Sequence, residues 1–225
     1  MIILAVDTAL GACSAALVSD GRVLAHEHRE MARGHPEALA PMVEDIMRRA
    51  DCAFSKIERI GVTTGPGTFA GQRVGLAFAR ALALALGKPA VGVTTLDTMA
   101  AEALSRTESR AWAVAAADAK RGEIYLGARS VGSSLLEPTL VPLAEAPARL
   151  ASLVESNGVE IVLAGTAADA LSPLLRSAGF VPSDSLVRQP DAIFVARLAA
   201  LAPAGAPPRP LYLRPPDAKL PAGSP

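Results

Sequence analysis

The sequence predicts an α/β protein built from two related halves. In the first half, apolar and polar residues alternate in a pattern that gives the element order β-β-β-α-β-α-β. Both halves open with an apolar strand that ends in an aspartate, Asp7 or Asp118. The 225 residues are enough for two small lobes, and we place the boundary between the lobes near residue 105.

The first half opens with a three-stranded meander. Residues 2–8 form a continuous apolar run, which is typical of a central strand covered on both faces. Two further strands follow over residues 13–19 and 22–30, and the dipeptide Asp20-Gly21 between them favours a hairpin turn.

Helices and parallel strands complete this half. Pro36 begins the first helix, since a proline in the first turn gives up no hydrogen bond. Apolar residues at helical spacing make this helix amphipathic: Leu39, Met42, Val43, Ile46, Met47 and Ala50. The remaining elements are a strand over 57–63, a helix over 72–86 that Gly87 stops, a strand over 89–93 and a helix over 96–104.

The second half is less regular, and a tail follows it. From Pro203 the chain is rich in Pro and Gly, apart from an ordered-looking segment over 211–214. We expect this tail, residues 203–225, to pack back on the first lobe. The elements predicted before it are strands over 111–118, 123–130, 138–142 and 161–164, and helices over 144–156, 169–177 and 191–201.

Composition limits the classes of protein to which the chain can belong. The 22 basic residues balance 22 acidic residues, so no large basic field is available to hold a polyanion, and any role with nucleic acid should be indirect. Cys13 and Cys52 lack CxxC or metal-ligand spacing and fit a reducing cytosol. The N-terminus has no basic region, which favours a strand over a signal peptide. The apolar stretch 74–87 contains Arg80 and is expected to be too short to span a bilayer, so we expect a cytoplasmic protein.

A glycine-rich turn from Gly65 to Gly71 joins a strand to the second helix. Such a turn can cradle a phosphate, because a helix N-terminus offers free N–H groups and the positive end of its dipole. The Gly-Lys pair of a P-loop is missing here. We favour a tight turn that needs glycine backbone angles, and an anion site or a partner contact stays as an alternative.

The second helix has almost no polar side. Arg73 and Arg80 share one face, and the other residues over 74–85 are apolar or small. A helix on the surface of a monomer normally has a broad polar side. The helix is therefore either sandwiched within the fold or part of an intersubunit surface, and the sequence leaves both interpretations open.

The three histidines do not form a metal motif. His26 and His28 share one face of a strand, but no third ligand is near in sequence, so we favour a solvated strand face over a metal pair. His35 precedes the first helix, and Leu39 stands where an HxxxH motif would have its second histidine. We expect a structural or interface role for His35.

The sequence contains no recognisable nucleophile signature, such as GxSxG or SxxK. Asp7 and Asp118 could hold a metal-bound nucleotide between the lobes. Only Gly11 follows Asp7 where a phosphate hairpin would need several glycines, so we favour a turn-capping role for both. We therefore assign no catalytic residue and no metal ligand, and the two aspartates stay weak cofactor candidates.

Five segments together resemble the TsaB (YeaZ) family of the actin/sugar-kinase/Hsp70-like superfamily. The resemblance covers nearly the whole chain, is strongest over residues 1–130, and is most specific over 61–100. The segments are ILAVDTALGACSAAL (3–17), GHPEALAPMVEDIM (34–47), GVTTGPGTFAGQRVGLAFARALALALGKPAVGVTTLDTMA (61–100), DAKRGEIYLGARS (118–130) and PLYLR (210–214).

The resemblance implies an RNase H-like two-lobe fold with mixed sheets flanked by helices. The N-terminal lobe, 1–105, would carry the partner-binding helices, and a smaller, degenerate lobe would span 106–202. The implied function is that of a non-catalytic subunit needed for N6-threonylcarbamoylation of adenosine 37 in ANN-decoding tRNAs. A paralogue, TsaD, would be catalytic and carry the metal-binding HxxxH that is reduced here to His35 and Leu39. The ATPase TsaE and TsaC, which makes threonylcarbamoyl-adenylate, complete the set.

The resemblance also implies how the chain would act. It would bind and stabilise TsaD, contact TsaE, pair with a second copy when alone, and meet tRNA only indirectly. It would bind no cofactor alone, while ATP or ADP at the junction with its partners fits the family. The implied partner interface consists of His35, Leu39, Met42, Val43, Ile46, Phe69, Arg73, Val74, Ala77, Phe78 and Ala81.

Two other functions remain open. A glycoprotease-like metallopeptidase would need a metal site, which the histidines do not supply in the sequence. A small-molecule kinase of the same superfamily would need two phosphate-binding hairpins, which are degenerate here.

Overall fold

Two five-stranded sheets form the framework of the protein in a computed structural model that describes residues 1–107, 111–153 and 160–214. The first sheet has the order β3-β2-β1-β4-β5, where β1 is Ile2–Asp7, β2 is Ala12–Ser19, β3 is Arg22–Glu30, β4 is Arg59–Thr63 and β5 is Ala90–Val93. The second sheet has the order β10-β9-β6-β7-β8, where β6 is Trp112–Asp118, β7 is Glu123–Ser130, β8 is Ser133–Pro142, β9 is Ile161–Ala164 and β10 is Pro182–Asp184.

The two sheets share one topology. In the first, β1 pairs antiparallel with β2 and parallel with β4. In the second, β6 pairs antiparallel with β7 and parallel with β9. Each sheet thus combines a three-stranded meander with two parallel strands, which confirms the predicted relation between the halves.

Within the described residues six α-helices flank the sheets, and side chains cap three of them. Thr68, Thr94 and Asp191 each accept a hydrogen bond from a backbone N–H in the first turn of the helix that follows. The helices are α1 (His35–Arg49), α2 (Phe69–Leu86), α3 (Thr95–Ser105), α4 (Ala146–Ala151), α5 (Ala168–Ser177) and α6 (Ala192–Leu201).

One helix from each half of the chain packs on the sheet of the other half. α1 and α2 cover one face of the first sheet, and α6 covers the other. α3 packs on the second sheet, on the face opposite α4 and α5, and contacts α6 in the middle of the molecule. Although α3 lies within the predicted lobe 1–105 and α6 within the predicted lobe 106–202, α3 completes the core of the second sheet and α6 completes the core of the first.

Two predicted elements change in the second half, and one strand was not predicted. β8 begins at Ser133 rather than at residue 138, and α4 ends at Ala151, whereas the predicted end at residue 156 lies outside the described residues. β10 was not predicted, because its three residues, Pro182 to Asp184, have no apolar run and one is a proline.

α2 is the longest helix among the described residues. The helix, Phe69–Leu86, extends beyond the predicted stretch 74–87 and is long and apolar enough to cross a membrane by length and composition alone. Its inner face packs on the first sheet through Gly75, Leu76 and Ala79, and Arg73 and Arg80 lie on the exposed face. This placement is that of a helix in a globular fold.

The tail packs back on the first lobe, as far as residue 214, and also contacts the second. Leu211 N donates to Thr64 O at 2.8 Å, and Pro208 lies against Gly92 of β5. Arg214 forms an ion pair with Glu123 at the start of β7. We call residues 207–214 the strap.

Candidate functional site

The apolar stripe of α1 faces the core of the chain itself. The predicted interface residues on this helix are at most 8% exposed, so they cannot form a contact surface in this structure. In the isolated chain these residues are buried against the first sheet: His35, Leu39, Met42, Val43 and Ile46. The exposed side of α1 carries charged residues, among them Glu37, Glu44 and Arg48.

α2 does present an apolar surface to solvent. Phe69 is 63% exposed and Leu84 is 86% exposed, at opposite ends of the helix. Val74 and Phe78 are half-buried and pack against the core. We call the exposed side of the helix the α2 outer face: Phe69, Arg73, Ala77, Arg80, Ala81 and Leu84.

The strap fixes the N-terminal end of the α2 outer face. The Arg73 guanidinium lies 3.6 Å from the Phe69 ring centroid, and Arg73 Nε donates to the Tyr212 hydroxyl at 2.9 Å. The Phe69 and Tyr212 rings stack with centroids 5.9 Å apart. A cation held over one aromatic ring and hydrogen-bonded to another orders both side chains.

A cleft of about 750 Å³ opens between the two lobes beside this cluster. The first turn of α2, the turn after β6 and the strap form its walls. Gln72, which is 3% exposed, lines the cleft, and its Oε1 has no hydrogen-bond partner in the structure. Arg73 and Lys120 bring positive charge to the same walls, so the cleft suits a ligand with both polar and anionic groups.

The two strand-end aspartates occupy equivalent places but different environments. Asp7 Oδ1 accepts from Ala9 N at 3.2 Å, and Asp118 Oδ1 accepts from Lys120 N at 2.7 Å, so each caps a turn as the sequence favours. Asp7 is fully buried and does not line the cleft. Asp118 lines the cleft, and its hydrogen bonds with Lys120 keep the pKa of its carboxyl below the ordinary value.

The glycines of the turn before α2 permit a close approach to the end of β1. A Cβ atom at Gly67 would lie 2.3 Å from Ala9 O, and one at Gly71 would lie 2.2 Å from Thr8 O. Gly65 has φ 106°, which a side chain would strain. The tight turn favoured from the sequence is therefore present. Close packing on the residues that follow β1 accounts for Gly67 and Gly71, and the positive φ accounts for Gly65.

The structure joins His26 and His28 to a residue that the sequence analysis did not connect with them. His26 Nε2 lies 3.0 Å, and His28 Nδ1 lies 3.6 Å, from Oδ2 of Asp191. The predicted solvated face is corrected, since the imidazoles are only about a quarter exposed and face α6. No spacing rule could reveal the contact, because Asp191 lies in the other half of the chain.

Comparison with known proteins shows the family. A family model described as "TsaD: tRNA N6-adenosine threonylcarbamoyltransferase" matches residues 26–184. The tRNA threonylcarbamoyladenosine biosynthesis protein TsaB of Escherichia coli (strain K12) is 42% identical over 125 residues, which are 56% of this chain and 53% of that protein. The chain spans about half the length of the curated relatives it matches.

Solved structures agree with the sequence relatives. YeaZ from Pseudomonas aeruginosa is 29% identical, with a TM-score of 0.78, over 94% of this chain and 99% of that chain. A ROK hexokinase from Thermus thermophilus is 17% identical with a TM-score of 0.53, over 89% of this chain and 99% of that chain, and shows the fold alone. This sugar kinase confirms the predicted actin/sugar-kinase/Hsp70-like fold. The chain therefore belongs to the family of the TsaD model, and its named relatives place it in the TsaB (YeaZ) branch.

Proposed function

We propose that this chain is a non-catalytic cytoplasmic subunit that supports N6-threonylcarbamoylation of adenosine 37 in ANN-decoding tRNAs. It acts by binding and stabilising a TsaD-like catalytic paralogue and works with a TsaE-like ATPase. The names of the relatives support a place in this pathway. The observation that carries the mode of action is the α2 outer face, which exposes the large apolar side chains of Phe69 and Leu84.

An exposed helix face of this kind favours burial against another protein. Phe69 and Leu84 expose large apolar side chains, and the alanines between them leave the backbone accessible to a close neighbour. Burying apolar area contributes roughly 25 cal/mol per Å² before the cost of association, so a complementary helix pair stabilises a complex. The same face would pair two copies of the chain in the absence of the paralogue.

The histidines that would make this chain catalytic in the manner of its paralogue are not in place. Leu39 occupies the position of the second metal ligand and is 1% exposed, inside the core. His35 is 8% exposed and belongs to the same buried helix face. A subunit that lends a surface to a catalytic partner fits these residues better than a metallopeptidase does.

The contact with tRNA is indirect in this proposal. The formal net charge of the chain is zero, and the basic residues of the α2 outer face are only Arg73 and Arg80. Tight phosphate binding needs several cations on one surface, and its affinity falls steeply with salt. The partners would therefore supply the main tRNA-binding surface.

We extend the proposal to the cleft, where a nucleotide would bind at the junction with the partners. The cleft lies next to the α2 outer face, and Arg73 belongs to both. ATP or ADP would be bound between this chain and a partner, with Arg73 and Lys120 of this chain facing its phosphates. The chain alone would then bind nucleotide weakly.

The test is reconstituted tRNA modification with purified TsaD-like, TsaE-like and TsaC-like proteins. Ala77→Arg places a charge in the centre of the proposed interface, and Leu84→Asp places one at its end. We expect binding of the paralogue to weaken on the order of 10-fold or more, since burying an unpaired charge removes a contact and adds a desolvation cost. The modification rate should fall in parallel at limiting subunit concentration.

Leu201→Asp is the matched control. Leu201 is 84% exposed, like Leu84, and also lies near the end of a helix, but on another face of the molecule. This variant should keep full activity. If Leu84→Asp and Ala77→Arg fold and support modification as well as Leu201→Asp does, the α2 outer face is not the interface.

A further inference from the structure

His26, His28 and Asp191 converge on one point between β3 and α6. Their ligand atoms, the two ring nitrogens and a carboxylate oxygen, all lie within 4.8 Å of one another. His26 and His28 lie two residues apart on β3 and therefore project from the same face. Asp191 comes from the N-terminus of α6, which covers that face of the sheet.

The two ring nitrogens have no hydrogen bond to account for their position. His26 Nε2 and His28 Nδ1 are both buried, and neither has a hydrogen-bond partner of acceptable geometry. Buried polar atoms in proteins nearly always have a partner, so a pair of such nitrogens aimed at one carboxylate needs an explanation. A cation among the three atoms would satisfy all of them at once.

Both separations from the carboxylate suit a small tetrahedral ion. Zn²⁺ binds histidine nitrogen and carboxylate oxygen at about 2.0 to 2.1 Å, which places tetrahedral ligand atoms about 3.3 Å apart. The separations from Asp191 Oδ2, 3.0 Å to His26 and 3.6 Å to His28, bracket that value. The two ring nitrogens lie within 4.8 Å of each other, so an ion would draw the imidazoles together as it binds. Two imidazoles and one carboxylate are a ligand set that zinc uses where it keeps one position open.

The surroundings hold the three side chains in place. Asp191 Oδ1 accepts from Ile193 N at 2.7 Å, which leaves Oδ2 free to face the imidazoles. Ser14, the cross-strand neighbour of His28, accepts from Ala192 N at 3.1 Å and so ties β2 to the start of α6. Outer contacts of this kind orient ligands and raise metal affinity.

The nearby acid Glu102 of α3 is engaged elsewhere. Its carboxylate pairs with Arg106 at 2.6 Å. The imidazoles are about a quarter exposed and the Asp191 side chain is 16% exposed, so the cluster lies close to the surface. The site offers three protein ligands, and a tetrahedral ion would need a fourth ligand from solvent.

We propose that His26 Nε2, His28 Nδ1 and Asp191 Oδ2 bind one Zn²⁺ ion, with a water molecule as the fourth ligand. The ion would join β3, an edge strand of the first sheet, to the N-terminus of α6. It would thereby hold together two segments of this lobe that are far apart in sequence. This site is separate from the α2 outer face and from the cleft.

The test is metal binding by the purified full chain after chelation. Titration with ZnCl₂ should give one site, and Co²⁺ in its place should give the visible absorption of a low-coordinate ion. His28→Gln and Asp191→Asn should weaken binding on the order of 100-fold, and zinc should raise the melting temperature of the parent by several degrees but not theirs. Asp191→Asn keeps an oxygen to cap α6, so loss of binding there cannot be attributed to loss of the cap.

Two control variants exclude other ligands. Cys52→Ser removes an accessible thiol, and Glu30→Gln removes an exposed acid on the same strand, and both should bind zinc as the parent does. The proposal is overturned if the parent binds no stoichiometric zinc, or if His28→Gln and Asp191→Asn bind it unchanged. In the first case the three residues form a capping network without a metal, and neither outcome bears on tRNA modification.

Discussion

Asp7 shows how one buried carboxyl sets a pH dependence. Its Oδ1 accepts from Thr63 Oγ1 at 2.5 Å and from Ala9 N, while its Oδ2 is buried without a partner. Burial raises the pKa of Asp7 from 3.8 to about 7, against the opposing effect of the two hydrogen bonds. The carboxyl therefore retains its proton in the folded chain across a range where the unfolded chain has lost it.

The pH dependence of stability takes its sign from that shift. Because the folded-state pKa of Asp7 is raised, its contribution to stability is greatest below pH 3.8 and is lost as the pH rises to about 7. The loss is at most about 4 kcal/mol, from roughly 1.4 kcal/mol per pKa unit. Asp7→Asn imitates the protonated form, so its free energy of unfolding should fall less than that of the parent between pH 5 and 8.

Urea unfolding at pH 5 and pH 8 measures this difference. Asp118→Asn is the control, because Asp118 occupies the equivalent strand end but is exposed, and its pKa is lowered rather than raised. Equal pH dependence in the parent and in Asp7→Asn would show that the buried carboxyl ionises normally.

The roles of single residues could be predicted only where they depend on neighbours in sequence. The turn-capping role of Asp7 and Asp118 was visible, since each accepts a hydrogen bond from the residue two positions later. Asp191 was missed as a partner of His26, because only the return of α6 to the first sheet brings them together. The full burial of Asp7 likewise depends on α2, whose close approach no local pattern reports.

At the scale of elements, α2 depends on its first turn. Thr68 Oγ1 accepts from Gly71 N at 3.1 Å, and Thr8 Oγ1 accepts from Gly75 N at 2.9 Å, so hydroxyl oxygens bind two N–H groups near the start of the helix. A helix whose start is fixed in this way presents its outer face in one orientation.

Thr68→Ala should therefore destabilise the chain by about 1 kcal/mol, because it leaves the Gly71 N–H without its cap. Thr68→Ser keeps the hydroxyl and should stay within a few tenths of a kcal/mol of the parent. Chemical denaturation measures both. A loss of equal size in the serine variant would assign the effect to the methyl group and its packing.

The elements themselves were largely predictable, but their neighbours were not. The apolar stripe of α1 correctly showed which side of the helix is buried, since periodicity reports a buried side without saying what covers it. Here Leu39 and Met42 are covered by the chain's own first sheet, so the predicted partner contacts at these two residues stay a prediction. For α2 the sequence left two interpretations open, and the structure shows a helix with one face in the core and one in solvent.

At the scale of the molecule, the exchange of α3 and α6 makes the two halves depend on each other. A chain that ends at residue 190 lacks α6, and so exposes the face of the first sheet formed around Ile3, Ala5 and Ala16. We expect this truncated chain not to fold. A chain that ends at residue 206 keeps α6 and lacks the strap, and should fold with a melting temperature lower by several degrees.

Circular dichroism and thermal melting of both truncated chains check these outcomes. A chain that ends at residue 214 keeps the whole strap and is the reference. Cooperative folding of the chain that ends at residue 190 would show that each half is independent, contrary to the packing of α6 on β1, β2 and β4.

The order of elements along the chain and the fold class were predictable at this scale because each half repeats a local pattern of strands and helices. The assignment of α3 and α6 to opposite lobes was not, because the position of a helix along the chain does not determine the sheet on which it packs. β10 was missed because its three residues carry no local strand pattern and pair only with the edge of β9.

The strap has a consequence for association. It bonds to Thr64 in one lobe and to Glu123 in the other, so hinge opening of the cleft would have to break a contact on one side. Because the strap already holds the two lobes together, the chain loses little conformational entropy when another protein binds it. Recognition through α2 should then resemble the meeting of two rigid shapes, with most variation among mutants expressed in the dissociation rate.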